Sequence, residues 1–328
     1  MILVTGATGF LGSHLVKALS LLNIPVRALY RNKKNISSEL LALKNVEWQE
    51  CDILDIIRLE EVFERVTLVY HCAAFVSFEK KHRDEMMLVN VKGTSNLVNM
   101  ALHLGLKKFL HVSSIAALGR TNNEETITEK TKWEDSPLNS QYAISKYLSE
   151  QEVWRAGVEG LDAVIINPSI ILGPGYWNSG SGRFFETAKN GLSYYPRGMN
   201  GFVGVDDVVD CMIFLMNSGI SNERFILNSE NYSYKDLLVD ITRSLKVKQP
   251  TIELKPWIVN IASRVSSLVS LLTGKQPFLT KETANNANNI YKYSNSKIFS
   301  TRSNDWSFDP IKNVIEATSK IYLSQIKK

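Results

Sequence analysis

Ile2-Leu3-Val4-Thr5-Gly6-Ala7-Thr8-Gly9-Phe10-Leu11-Gly12-Ser13-His14-Leu15 is the stretch whose reading decides the fold. Ile2-Leu3-Val4 reads as a buried strand, glycines fall at 6, 9 and 12, and a helical pattern starts directly afterwards. Gly6 permits a tight turn, Gly9 lets backbone N–H groups approach a pyrophosphate, and Gly12 lets the helix pack closely on the sheet. The helix N-terminus adds positive potential. The spacing departs by one residue from G-x-G-x-x-G, but the order strand, turn, helix, second strand is that of a dinucleotide-binding turn, which Thr8, Phe10 and Leu11 complete.

Working outward, apolar runs alternate with helical patterns through the first half. Ile2–Val4, Val26–Tyr30, Val46–Cys51, Leu68–Cys72, Phe109–Val112 and Ala163–Asn167 read as strands. Such alternation predicts an α/β fold with a doubly wound parallel sheet, and the continuous hydrophobicity of the strands agrees with helices on both faces. After Pro168 the pattern becomes irregular, opening with the Gly/Pro/Asn/Ser-rich stretch Gly173–Gly182. Phe202–Val205, the acidic pair Asp206-Asp207 and the apolar Val208–Met216 read as a strand and a capped helix returning to the sheet. The expected division is therefore a dinucleotide-binding domain over 1–167 with a return at about 201–227. A smaller, mostly helical substrate domain takes 168–200 and about 228–328.

The 328 residues are 44% hydrophobic and 22% charged, enough to bury a substantial core. Lys and Arg exceed Asp and Glu by 38 to 33 with no basic tract, so nucleic acid is not an expected partner. Three cysteines, Cys51, Cys72 and Cys211, with no C-x-x-C pair, fit a reducing cytoplasm, and no metal site is expected. A strand at residues 2–4 leaves no room for a signal peptide, so a cytoplasmic location is expected. The apolar stretch Trp257–Leu272 is interrupted by Asn260, Arg264 and serines, and reads as an amphipathic helix, not a membrane span.

An NAD-preferring site carries an acid at the end of the second strand, but here Tyr30 and Arg31 stand there. A guanidinium suits a ribose 2′-phosphate, which predicts NADP(H) over NAD(H), with Arg31 the reader and Lys33 or Lys34 assisting.

Tyr142-Ala143-Ile144-Ser145-Lys146 puts a phenol and an ammonium on one helix face. A nearby ammonium stabilises phenolate, so the tyrosine is a candidate acid and base. Ser113-Ser114 ends an apolar strand at the edge where a doubly wound sheet presents its active face.

Taken together, T-G-A-T-G-F-L-G, the serine at the fifth strand's end and Y-A-I-S-K resemble the extended short-chain dehydrogenase/reductase family over nearly the whole chain. The resemblance implies a Rossmann domain. It makes Tyr142 the general acid/base, Lys146 the residue that lowers its pKa and binds the nicotinamide ribose, and Ser114 the residue that orients the substrate oxygen. It further implies that Asp52 and Ile53 touch adenine, that Ala73 and Ala74 line the dinucleotide, and that Asn90 supports the structure or hydration of the site. Pro168 introduces the nicotinamide-side loop.

Within the family, Ile115-Ala116 after Ser114 lacks the Asp-Glu pair usual in sugar-nucleotide 4,6-dehydratases. Val26–Arg31 resembles dihydroflavonol-reductase-like members. Trp257 and Gly274–Thr280 resemble 3-beta-hydroxysteroid-dehydrogenase-like members. Both point to carbonyl/alcohol interconversion on a small-molecule substrate. Sugar-nucleotide epimerisation is the runner-up, and a redox-silent dinucleotide sensor or scaffold the non-enzymatic alternative, against which the Tyr142/Lys146 pair argues. The family's F-V-H-V-D-D stretch is here Phe202–Asp207, with Gly204 in place of the histidine. Substrate contacts are expected from Phe75–Phe78, Gly173–Arg183 and Tyr194–Asn200, where Tyr176, Trp177, Tyr194 and Tyr195 offer aromatic surface to an apolar or ring-bearing substrate. The resemblance also implies a homodimer through helices near Asn90–Leu104 and Tyr142–Trp154.

Overall fold

The computed structural model describes residues 1–77, 79–119, 126–136, 139–254, 288–302 and 305–326. Phe78, Trp257 and Gly274–Thr280 lie outside the described residues. The strands are β1 (Ile2–Thr5), β2 (Val26–Tyr30), β3 (Val46–Glu50), β4 (Leu68–His71), β5 (Lys108–Val112), β6 (Ala163–Pro168), β7 (Ile170–Leu172), β8 (Tyr194–Tyr195), β9 (Met199–Gly204), β10 (Glu223–Leu227), β11 (Glu230–Ser233) and β12 (Ile252–Glu253). The helices used below are α1 (Phe10–Leu21), α2 (Gly93–His103), α3 (Gln141–Val158) and α4 (Val205–Asn217).

Two compact units divide the chain, and Met1–Gly119, Lys132–Pro168 and Val205–Leu227 build the first. Its seven strands run parallel in the order β10-β6-β5-β4-β1-β2-β3. The chain leaves β1 toward β2 and β3, then crosses back to place β4 on the other side of β1. The carboxyl ends of β1 and β4 therefore flank the switch point, where open α/β sheets bind ligands. Every residue of β1 and β6 is buried, as strands with both faces covered require. The edge strand β3 instead exposes Glu47 and Glu50, charges that discourage further strand pairing.

The doubly wound parallel sheet is as expected, with two adjustments. Cys51 and Cys72 fall just beyond the ends of β3 and β4. Phe202 and Val203 lie in β9, which does not join the main sheet but pairs with β7 and β11; the return is made by α4 and β10, which pairs parallel with β6. An apolar strand codes for burial without coding for which neighbour buries it, so the local pattern at Phe202–Val205 does not by itself assign the strand to a sheet.

Ser169–Gly204 and the described parts of Arg120–Thr131 and Asn228–Lys328 form the second unit. It holds the three-stranded sheet β11-β9-β7 and the short pair β12-β8. Its core gathers Leu172, Phe185, Phe202, Tyr234, Ile311 and Tyr322. Trp177 packs edge-on against Phe185 and Tyr322, at ring separations of 6.0 and 4.8 Å, and its Nε1 donates to Gln325 Oε1 at 2.7 Å. That indole is therefore engaged in packing, whereas Tyr176 and Tyr194 remain exposed. Among the described residues no helix is long and apolar enough to cross a membrane.

Candidate active site

The turn after β1 is shaped by what its glycines lack. Gly6 holds φ at +65°, a conformation side chains disfavour, and a Cβ there would lie 2.6 Å from the Ala73 nitrogen beyond β4. A Cβ on Gly12 would strike the Gly6 carbonyl, so α1 can begin this close to the strand only with glycine at that position. Gly9 N–H donates to Gly6 O at 2.9 Å and caps α1 without a side chain, and the helix's first turn carries no acid. Thr8 and Phe10 are half-buried beside it and Leu11 is buried. The result is a cradle that a Cβ would fill, opening on a helix N-terminus, and it fits the pyrophosphate of a dinucleotide.

Beyond β2, Arg31, Lys33 and Lys34 are all exposed, on a loop in which Asn32 Oδ1 accepts the Lys34 N–H at 3.0 Å. Beyond β3, Asp52 Oδ1 accepts from the Leu54 N–H at 3.0 Å, while the Ile53 side chain is buried in the core beside Gly93. Ala73 is half-buried and Ala74 exposed beyond β4, and Pro168 ends β6.

A chain of hydrogen bonds runs beneath this floor. Thr94 Oγ1 donates to Asn90 O at 2.6 Å, so it accepts from His71 Nε2 at 2.9 Å. In the neutral ring His71 Nδ1 is then the acceptor for the Thr5 hydroxyl at 2.8 Å, and Thr5 Oγ1 accepts the Ala73 N–H at 3.2 Å. The proton positions follow from one another, and burial holds His71 neutral, its pKa pulled down to about 3. Asn90 lies in a π-helical turn, Leu88–Lys92, a distortion of the kind that often marks functional sites. Its amide clasps Phe75 through both backbone groups, accepting the N–H at 2.7 Å and donating to the C=O at 2.9 Å.

Ser140 caps α3 by accepting the Ala143 N–H at 2.8 Å, which fixes the helix start just before Tyr142. The Tyr142 phenol is hydrogen-bonded to the Ser114 hydroxyl, which also accepts the Ala116 N–H at 3.1 Å. Burial raises the Tyr142 pKa and the Ser114 hydrogen bond opposes the rise. Lys146 was expected to lower it. Instead its ammonium, on a side chain 1% exposed, donates to Val112 O at 2.7 Å, and burial pulls its own pKa down to about 8. Among the described residues, Ser114 is the group whose hydrogen bond favours the phenolate.

A model of the NAD dependent epimerase/dehydratase family matches residues 2–227. The chain belongs to that family. This member of the epimerase/dehydratase family is 33% identical over 263 residues to sterol demethylase protein B of Methylococcus capsulatus, covering 78% of each chain. It is 29% identical to a putative dihydroflavonol 4-reductase of Synechocystis, over 84% of this chain and 81% of the relative. Among solved structures, gox2253 superposes with a TM-score of 0.82 at 28% identity, covering 99% of this chain and 98% of the other. The family's members are enzymes that use a nicotinamide dinucleotide, and this chain is one of them.

Three residues near the site escaped the sequence reading. Glu150 and Asn167, both buried, form a cluster with the half-buried Arg224 behind Ser114, with Asn167 Nδ2 donating both to Ser114 O at 2.9 Å and to Glu150 Oε1 at 2.6 Å. The available signal was Glu150 itself, an acid four residues beyond Lys146 on the same helix face.

Proposed function

We propose that this chain is an NADP(H)-preferring oxidoreductase acting between a carbonyl and an alcohol, with Tyr142 as its acid–base group. The observation that carries this reading is the hydrogen bond between the Ser114 hydroxyl and the Tyr142 phenol, at the carboxyl end of β5 in the sheet that bears the glycine cradle.

A substrate carbonyl oxygen seated between the two hydroxyls accepts the phenolic proton of Tyr142 as reduction proceeds, while Ser114 fixes its direction. In the reverse sense Tyr142 takes the alcohol proton. A bound nicotinamide supplies or takes up the hydride. Gly6, Gly9 and Gly12 hold the pyrophosphate, Arg31 meets the 2′-phosphate with Lys33 and Lys34 nearby, Asp52 and Ile53 border the adenine, and Lys146 reaches the nicotinamide ribose.

Ile115 and Ala116 follow Ser114, so that segment offers no acid and base for eliminating water. The names of two relatives, a sterol demethylase protein and a dihydroflavonol reductase, both concern ring-bearing, largely apolar molecules, and the exposed Tyr176 and Tyr194 suit such a substrate. The reading includes a cytoplasmic homodimer through α2 and α3, with the exposed Leu88 and Leu104 at its edge.

The test is a panel of cyclic ketones and aryl carbonyls with NADPH. Steady NADPH oxidation, abolished by Tyr142→Phe while NADPH still binds, supports the reading. Interconversion of UDP-sugars without net cofactor consumption overturns it in favour of epimerisation, and unimpaired turnover by Tyr142→Phe removes that residue from the reaction.

A further inference from the structure

Glu150 is the feature the proposed reaction leaves unused. Its side chain is 0% exposed, and a carboxylate is not buried so deeply without a compensating arrangement. Both of its oxygens accept: Oε1 from Asn167 Nδ2 at 2.6 Å and Oε2 from Arg224 Nη1 at 3.2 Å. The Arg224 donor has no acceptor role, and the orientation of Asn167 is fixed because both its neighbours, Ser114 O and Glu150 Oε1, are acceptors. This is the environment of an ionised carboxylate. Burial drives the Glu150 pKa up, while Ser113, Arg224 and Asn167 oppose the rise.

Lys146 lies one turn earlier on the same face of α3. The other titratable groups that act on it come from β4 and β5 and from the segment after β4, and they are neutral near pH 7. His71 is held neutral by burial and by its two threonines. His111 Nε2 lies 3.3 Å from Ser149 Oγ, whose proton goes to Lys146 O, so its ring is likewise a neutral donor at Nε2 and its pKa lies well below the usual range. The Cys72 thiol is pushed up to about 12 by burial. Among these groups Glu150 alone carries a negative charge, and it opposes the loss of charge that burial imposes on Lys146. The same carboxylate steadies Asn167, and Asn167 grips the Ser114 carbonyl.

Resting on the oxidoreductase reading, we propose that Glu150 is a positioning residue for the reaction. It supplies the buried negative charge that keeps the Lys146 ammonium in place and, through Asn167, it anchors the Ser114 main chain. Arg224, donating to the carboxylate at 3.2 Å, helps hold it in its charged form.

The test measures NADPH and NADH dissociation constants across about pH 6 to 9, together with the melting temperature, for the unaltered protein, Glu150→Gln and Arg224→Gln. In the unaltered protein affinity falls as the pH rises past about 8, where Lys146 loses its proton. Glu150→Gln removes the anion, moves that inflection to lower pH by about one unit, and weakens binding about threefold near pH 7.5, with little change near pH 6. Arg224→Gln removes the cation that favours the charged carboxylate, so it moves the inflection the same way, to lower pH. An inflection that moves to lower pH in both variants while affinity near pH 6 holds is something a packing defect does not produce. Glu150→Gln that keeps both its fold and the original inflection overturns the inference alone. Should Glu150→Gln fail to fold, an Arg224→Gln inflection that stays put or moves to higher pH overturns it. Failure of the unaltered protein to bind either dinucleotide overturns the oxidoreductase reading and this inference with it.

Discussion

Asn90 Nδ2 lies 3.0 Å from Ser145 Oγ, and Ser145 in turn donates to Tyr142 O at 2.8 Å. The buried amide that clasps Phe75 is thus tied, through one hydroxyl, to the backbone of the proposed acid–base residue. Removing it leaves the Phe75 N–H and C=O without their partner, at about 1–3 kcal/mol for each buried group so abandoned. Asn90→Leu is expected to lower stability by a few kcal/mol in urea unfolding and to reduce turnover more than NADPH affinity. Asn90→Asp keeps the acceptor for the Phe75 N–H but loses both donors, so intermediate stability is expected. Stability and turnover unchanged in Asn90→Leu would show that the clasp holds nothing in place.

The glycine cradle makes a sharper claim about space. At Gly6 both the positive φ and the 2.6 Å approach to the Ala73 nitrogen oppose a side chain, and the obstacle is backbone, which cannot rotate away. Gly6→Ala is expected to cost about 1–3 kcal/mol from strain and to weaken dinucleotide binding at least tenfold. Gly105→Ala serves as the control, since Gly105 also has positive φ but meets nothing within 4 Å. Its stability falls through strain while its dinucleotide affinity holds. Isothermal titration with NADPH separates the two outcomes.

The turn and the parallel sheet were legible because each rests on local pattern: glycine spacing, unbroken apolar runs and helix-length separations. The site was legible only in part. Ser114 and Tyr142 are 28 residues apart in sequence yet each sits in a recognisable local context, a strand end and a capped helix. Glu150, Asn167 and Arg224 come from α3, β6 and β10, and nothing within any one of those segments announces the others. The π-helical turn at Asn90 and the membership of β9 in a separate sheet have the same origin, for both depend on partners distant in sequence. Trp177 shows the converse: an aromatic residue in a Gly-rich segment reads as binding surface, but an adjoining core with a vacancy for an indole takes it first.

Arg31 is exposed, and among the described residues no ion pair or side-chain hydrogen bond engages it, so its guanidinium is available to a phosphate. A charge-assisted bidentate contact contributes about 1.5–3 kcal/mol, equivalent to about 10- to 100-fold in affinity. Arg31→Asp is expected to weaken NADPH binding by that factor or more and to strengthen NADH binding, since a carboxylate accepts the ribose hydroxyl and repels the phosphate. Parallel titrations with the two dinucleotides check this. A strong NADH preference in the unaltered protein would remove Arg31 as the specificity determinant.

The relay through His71 carries a signature in the pH dependence of stability. Its folded pKa of about 3 lies below the value of 6.5 for a solvated imidazole. As pH falls through 6.5 the unfolded chain takes up a proton that the folded chain refuses, so the stabilisation present above 6.5 is lost progressively toward pH 3. At pH 5 this amounts to about 2 kcal/mol for His71, and His111 adds in the same direction. Glu150 works the other way, because its raised pKa lets the folded chain hold a proton the unfolded one has released. Urea unfolding at pH 7.5 and pH 5 therefore needs His71→Gln beside the unaltered protein. The variant is less stable at pH 7.5, having lost a ring that bridges Thr5 and Thr94, but its stability falls less between the two pH values. An equal fall in both proteins would mean that His71 is protonated in the folded chain, and the hydrogen-bond order from Ala73 to Asn90 would have to run differently.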